Sequence, residues 1–477
     1  MSTFAIDPPR RRLAIPLWLL GGVLAVVIGL CLGDPGPESL AVLGLVTVGG
    51  VLFAAAVAPF AGFLVLVTSS IMLIVMSIGE GERNLTSFDV LQFPLLAVTF
   101  LSGAAALARR SEQAEQGTAH SELRAATRKF TDAVWQYVGL AALSLLVTVA
   151  MGKTAGGIDS GLKLVRAMQG MLMFPLALVW LRRERDFRYA IGALLFGGVL
   201  FAIINGFAIG TGSAVRAGMT WFANEPLWSM GDPIEAGTAM LMLWVLLLTR
   251  QSMEPRPTRW LMLAGILALL VLSQSRSGLL AWVVFSLATL RRVRGRYLLF
   301  GLALILLGAP FFASSWWERM SRTLVLERGS FEAYSSLIRV YGWRAAILMF
   351  LDHPVFGVGY LGFRHFSDRY NELGIVLGQA ESLYLETATG MGVIGLFVAG
   401  RAVKRMLDLG RVVRRHAPHG SLAWHLAGFH VPYMAGLLVA NLTGDNWVGM
   451  LGLAQVGIWC ALLVRSGHLS FDSPPAS

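Results

Sequence analysis

Long apolar runs recur along this chain with arginine clusters between them, and no other feature constrains the fold as much. Runs able to cross roughly 30 Å of hydrocarbon fall near 13–32, 39–57, 60–79, 88–108, 133–151, 163–181, 188–208, 234–249, 260–273, 277–290, 297–312, 382–400, 423–440 and 447–464. Inside lipid every backbone N–H and C=O must find a partner within its own segment or in a closed barrel. Apolar runs of this length do so as helices, so the chain is expected to be an all-α polytopic bundle of about fourteen spans. Composition agrees, since 56% of its 477 residues are hydrophobic and only 14% charged, whereas a soluble domain has about a quarter charged. The net charge of +11 does not point to nucleic acid, because the basic residues gather at the ends of apolar runs. Arg10–Arg12 precede the run 13–32, which is too long for a cleavable signal and reads as a retained first helix. Pro59 marks the turn between the second and third runs. Cys31 and Cys460 both lie inside apolar runs and imply neither a disulfide nor a metal.

The charges orient these spans. Arg109 to Lys129, Arg182 to Arg188, Arg250 to Arg259, Arg291 to Arg296 and Arg401 to Arg415 all alternate onto one side with the N-terminal arginines. The positive-inside rule makes that side the cytoplasm and places both termini there. Loops 33–38, 80–87, 152–162, 209–233, 273–277, 312–381 and 441–446 face outward. The chain thus divides into eleven helices over 1–311, a large periplasmic loop over 312–381, and three helices with a tail over 382–477. The polar segment 109–132 is a solvated helix or a flexible link, and the tail 470–477 is expected to be disordered. No internal repeat occurs, so an inverted-repeat transporter gains no support.

Arginine on the outer side runs against this trend and needs a reason. Arg276 is pinned in the short turn Ser273-Gln274-Ser275-Arg276-Ser277-Gly278, at membrane depth, where ionisable groups are functional by default. Arg216 in the loop 209–233, and Arg339 four residues before Trp343, either join it around a phosphate or pair with outer carboxylates or lipid headgroups. Arg344 and Arg364 read as surface or structural residues. Glu381 opens the span beginning Glu381-Ser382-Leu383-Tyr384, and Ala388, Gly392 and Gly395 lie near one face of that helix. Its carboxylate either acts as a general base or simply stabilises a helix N-terminus. Tyr384 is placed to line the same site, and Asp445, alone in its charge in the last outer loop, to orient an arginine. His353-Pro354 with Gly357 and Gly359 is a turn signature, its histidine packing or capping. No Asp-x-Asp pair and no Cys/His cluster with ligand spacing occurs, so neither metal nor cofactor is expected.

These pieces, in this order and around a large outer loop, resemble the bacterial O-antigen ligase/polymerase superfamily of membrane glycosyltransferases. The matching stretches are Ser273–Gly278, Arg339 with Trp343 before His353-Pro354-Val355-Phe356-Gly357-Val358-Gly359 and Phe363, and Glu381-Ser382 with Gly392 and Gly395. The resemblance implies a GT-C-like fold in the bacterial inner membrane and a metal-independent reaction. A saccharide on undecaprenyl diphosphate would pass to an acceptor hydroxyl, with a flippase and a chain-length regulator as partners. Arg216 and Arg276 would hold the diphosphate and Arg339 would line the cleft. The ligases resemble this pattern with histidine in place of Glu381, and glutamate followed by serine is more similar to exopolysaccharide and capsule polymerases. Polymerase is therefore the expectation. A ligase acting on lipid A core or protein is the rival, and a lipid-linked saccharide transporter the rival of another class.

Overall fold

The computed structural model describes residues 59–70, 75–77, 84–86, 118–210, 228–229, 233–273, 275–290, 331–372, 376–444 and 450–471. The chain divides into two compact units, one of residues 1–114 with 175–231, the other of 115–174 with 232–477.

In the first unit α1 (Pro59–Ser69) packs on α4 (Glu184–Gly210). The Thr68 hydroxyl donates to the Ala193 carbonyl at 3.3 Å, and the Phe60 ring meets Trp180 and Tyr189. The apolar run 60–79 was expected to be one span, yet its described helix stops at Ser69. The hydroxyls of Ser69 and Ser70 donate to the carbonyls of Leu66 and Val67 and close off the last turn. Beyond them β1 (Val75–Ser77) lies between β2 (Asn84–Thr86) and β3 (Trp228–Ser229), antiparallel to both, with Val75 opposite Thr86 and Ser229. Apart from these short strands, every described element is helical.

The second unit holds α2 (Thr118–Ala150), the first part of α3 (Thr154–Trp180), α5 (Pro233–Met253), α6 (Pro257–Leu272), α7 (Arg276–Thr289), α8 (Phe331–Asp352), α9 (Phe363–Phe366), α10 (Leu383–His416), α11 (Leu422–Ala440) and α12 (Met450–Phe471). The boundary between units falls at Pro175 inside α3, where proline removes a ladder hydrogen bond. Five described helices are long and apolar enough to cross a membrane: α2, α10, α11, and α3 and α4 over Gly156–Trp180 and Glu184–Ile203. Leu143, Leu146, Leu261 and Phe397 are exposed on such apolar faces, as a lipid-facing surface requires.

Two polar segments prove to be helical extensions. From Thr118 the segment 109–132 is the first part of α2, a helix rather than a flexible link. The span expected over 382–400 continues through the arginine-rich stretch to His416 and ends just before Pro418, since the residue preceding proline disfavours helix. Within the segment expected to form the large loop, the described residues from 331 onward pack around α8, whose Ala345, Ala346 and Met349 form a core with Val358, Phe363, Phe366, Leu377 and Ala380.

Candidate active site

The site is built on a membrane helix that is broken on purpose. Gly392 inside α10 has φ 63° and ψ −159°, a backbone region open essentially to glycine alone. The break leaves carbonyls without helical partners, and the turn after α8 supplies them. Val358 and Gly359 donate their backbone N–H groups to the carbonyls of Thr389 and Gly390, each at 2.8 Å, while Val393 donates to Pro354 at 2.8 Å. The turn is also tied to α2, because Thr148 donates its hydroxyl to the Val358 carbonyl at 2.8 Å and Tyr360 donates to the Ser144 hydroxyl at 2.9 Å. Gly357 is needed because any Cβ there would collide with the Thr389 carbonyl. Irregular backbone at membrane depth is tolerated where protein satisfies it, and here one chain segment satisfies the other.

This dock holds α8 against the segment that leads into α10. Gly342 faces the carbonyls of Gln379 and Ala380, and one turn earlier Arg339 meets Glu381, Nε to Oε2 at 3.3 Å. Their side chains are 24% and 20% exposed, so the pair is neither sealed in a core nor free in water. Glu381 has φ 52°, a left-handed conformation uncommon outside glycine and typical of strained functional positions. Beneath it Glu386, 5% exposed, accepts the Ala380 N–H at 3.0 Å and so pins the segment that presents Glu381. Trp343 lies one turn from Arg339 on α8, and its buried indole N–H has no acceptor among the described residues, leaving a donor available to a ligand.

Arg276 reaches the same end of the bundle by a separate route. Ser273, Ser275 and Ser277 turn the chain sharply from α6 into α7: Ser273 caps Leu270, and Ser275 accepts the Gly278 N–H at 3.1 Å. Arg276 is thus the first residue of α7, where a cation opposes the helix dipole. Gly278 lies against Gly237 of α5, small residues that let the two backbones approach. Further along, Ala281 touches Gly436, and the Phe285 ring meets that of Phe429 at a tilt, so α7 and α11 run antiparallel. The C-terminal end of α11 therefore lies beside the Arg276 end of α7. That same end carries Asn441, whose carbonyl accepts the Leu383 N–H at the start of α10 at 3.1 Å. Arg276 and Glu381 flank one helix terminus at one end of the unit.

Tyr384 donates its hydroxyl to the Leu438 carbonyl at 2.7 Å, anchoring α10 to α11. Arg344 pairs with Glu372 at 2.6 Å and Arg364 with Asp159 at 3.2 Å. Arg216 and Asp445 lie outside the described residues. Among the described residues no group of three or more His, Cys, Asp or Glu is arranged to hold a metal ion. Glu386, Ser144 and Thr148 escape sequence reasoning; the signal that could have found them is a polar residue set inside an otherwise apolar span.

His365 supports the dock from the far side. Its Nε2 lies 3.3 Å from the Ser160 hydroxyl and its ring packs on Gly156. Burial pushes its pKa below the ordinary 6.5, Arg364 and Lys163 add to the shift, and Asp159 opposes it. A histidine held neutral stabilises fully above its unfolded value and loses that contribution as pH falls below it. The melting temperature is expected to drop as pH goes below about 6.5, and His365→Gln to flatten the drop. An unchanged slope in that variant would assign the acid sensitivity elsewhere.

No curated protein matches the chain. Residues 260–400 match the protein-family model described as O-Antigen ligase. The match takes in Arg276, Arg339, Trp343, Glu381, Tyr384 and the glycine break, and leaves out Arg216 and Asp445. Over residues 260–400, therefore, the chain is similar to the O-Antigen ligase family.

Proposed function

We propose that the chain is a polysaccharide polymerase of the bacterial inner membrane, working at the periplasmic end of a GT-C-like bundle of about fourteen spans. Its domains would be 1–311, 312–381 and 382–477, with both termini cytoplasmic. The donor is a repeat unit on undecaprenyl diphosphate, and the acceptor is a sugar hydroxyl of a second lipid-linked unit. Glu381 takes the hydroxyl proton as the oxygen attacks the anomeric carbon, and the bond from that carbon to the diphosphate oxygen breaks. The departing diphosphate keeps the electron pair, and the guanidinium groups of Arg276 and Arg339, joined by Arg216, hold its negative charge. The observation that carries this reading is the Arg339–Glu381 contact at 3.3 Å. A diphosphate entering beside it competes for the guanidinium and releases the carboxylate to accept a proton. Trp343 and Tyr384 line the cleft, Asp445 orients an arginine, and no cofactor takes part. A flippase would deliver the donor and a chain-length regulator would end the polymer.

A ligase passing the finished glycan to lipid A core or protein is the second reading, favoured by the description of the family match. Purified chain given lipid-linked repeats alone is expected to produce a ladder of polymer and free undecaprenyl diphosphate. Arg276→Ala is expected to slow this at least a hundredfold, the loss typical of one donor on developing charge. A product that appears only when a second acceptor is supplied establishes the ligase. Donor that crosses a vesicle membrane without being consumed establishes a transporter.

A further inference from the structure

The opposite end of α10 carries a charged cleft that glycosyl transfer does not use. It lies between the first turns of α2 and the last turns of α10 and encloses about 310 Å³. Its charged walls are Lys129, Arg405, Arg411 and Arg415 against Glu122 and Asp408. Asp408 is shared by Arg411 at 2.7 Å and Arg405 at 3.5 Å. Glu122 accepts from His416 at 3.0 Å and faces Arg415 at 3.6 Å. Four fixed cations thus meet two carboxylates. Among the described residues Lys129 pairs with no carboxylate, and the buried Nε–H of Arg405 has no acceptor. The cleft has donors to spare and an excess of positive charge.

Its position identifies what would neutralise it. On α10 the residues Arg415, Arg411, Arg405, Arg401 and Phe397 follow one another at four- and six-residue steps, which keeps them on one broad side of the helix. Phe397 is 71% exposed, and Leu143 on the matching face of α2 is 64% exposed. The arginine-lined groove therefore runs straight into a lipid-facing apolar surface. A ligand that fits has one negative, hydrogen-bond-accepting head and an apolar tail leaving along Phe397. Basic pockets between membrane helices on the side favoured by positive charge bind such headgroups.

We propose that this cleft binds the phosphodiester headgroup of an anionic membrane phospholipid, with Lys129 and Arg405 as its principal donors. The site is independent of the glycosyl-transfer reading and stands or falls without it.

The test uses the full chain in phosphatidylcholine nanodiscs titrated with phosphatidylglycerol, with bound lipid counted by native mass spectrometry. One phosphatidylglycerol is expected to be retained per chain and no phosphatidylcholine. Each basic residue near the headgroup contributes about fivefold in affinity, so Lys129→Gln with Arg405→Gln should weaken retention roughly 25-fold. If that variant does not fold, Phe397→Ser, which removes no charge, is expected to weaken phosphatidylglycerol retention and leave soluble sn-glycerol 3-phosphate unaffected. Equal retention of the two lipids, or unchanged retention in the variants, overturns the proposal. Protection against heat by sn-glycerol 3-phosphate equal to that of the lipid overturns it too, because the source would be a soluble anion. A parent chain that admits no lipid because an acidic protein segment fills the cleft also overturns it.

Discussion

Glu381→Gln is expected to cut polymer formation by about 10²–10⁴-fold, the range for removing a general base, with the protein still folded. Glutamine keeps the shape and one acceptor oxygen toward Arg339, so the contact at 3.3 Å survives as a hydrogen bond from the guanidinium to a neutral amide oxygen and stability changes little. The substitution separates the two roles that remain open for this carboxylate. A helix-terminal charge contributes only about 0.3–1 kcal/mol, and neutralising it would leave turnover near the parent rate. A base has no substitute. Glu381→Gly supplies the complementary measurement. The left-handed backbone at φ 52° costs a non-glycine residue about 1–2 kcal/mol, which outweighs the worth of a partly exposed ion pair, about 0–1 kcal/mol. Glycine should therefore melt no lower than the parent while making no polymer. Turnover of Glu381→Gln within tenfold of the parent, measured as ladder formation from lipid-linked repeats, would remove this carboxylate from the chemistry.

Arg339 makes the same experiment more informative. If the guanidinium serves both the carboxylate and the diphosphate, Arg339→Ala and Glu381→Gln act on one event. Their combined loss should then fall well short of the product of the single losses, since residues in direct contact are not additive.

The apolar cores of the described helices were readable from run length, but the polar extensions of α2 back to Thr118 and of α10 on to His416 were not. Periodicity also marks faces, which is why Arg339 and Trp343 could be placed on one side of a helix before any coordinates. What it cannot reveal is which faces meet. Arg339 and Glu381 stand 42 residues apart in sequence, and their contact depends on α8 folding back across the approach to α10. Likewise Gly357, Gly359 and Gly392 read as a turn signature and a small-residue face. Nothing local tells that the turn donates its N–H groups into a break in the helix. Ser144 and Thr148 sit in an apolar run as unremarkable polar residues until the turn arrives beside them. The left-handed conformation of Glu381 is also invisible in sequence, because glutamate carries no preference for it.

That dock is the feature on which the site's geometry depends, and Gly392→Ala tests it most severely. At φ 63° and ψ −159° a side chain is strained by about 1–3 kcal/mol, and a Cβ would press into the Val355 carbonyl. Relief comes only by straightening α10, which sacrifices the three hydrogen bonds from Val358, Gly359 and Val393, each worth about 1 kcal/mol net. A loss of about 4 kcal/mol or more is expected, among the largest that single substitutions produce, and visible as a collapse in monodisperse yield and melting temperature. Gly400, two turns further along the same helix, has open space where a Cβ would go. Gly400→Ala should be neutral or stabilise by up to about 1 kcal/mol. Gly357→Ala strikes the other face of the same dock and should add little once Gly392 is already replaced. The loss of activity in a Gly392→Ala protein that still folds would follow from Glu381, since the turn that is released carries the support of the segment presenting it. Melting of Gly392→Ala within a few degrees of Gly400→Ala would mean that the break in α10 is not held by the turn, and that the position of Glu381 must be secured by other contacts.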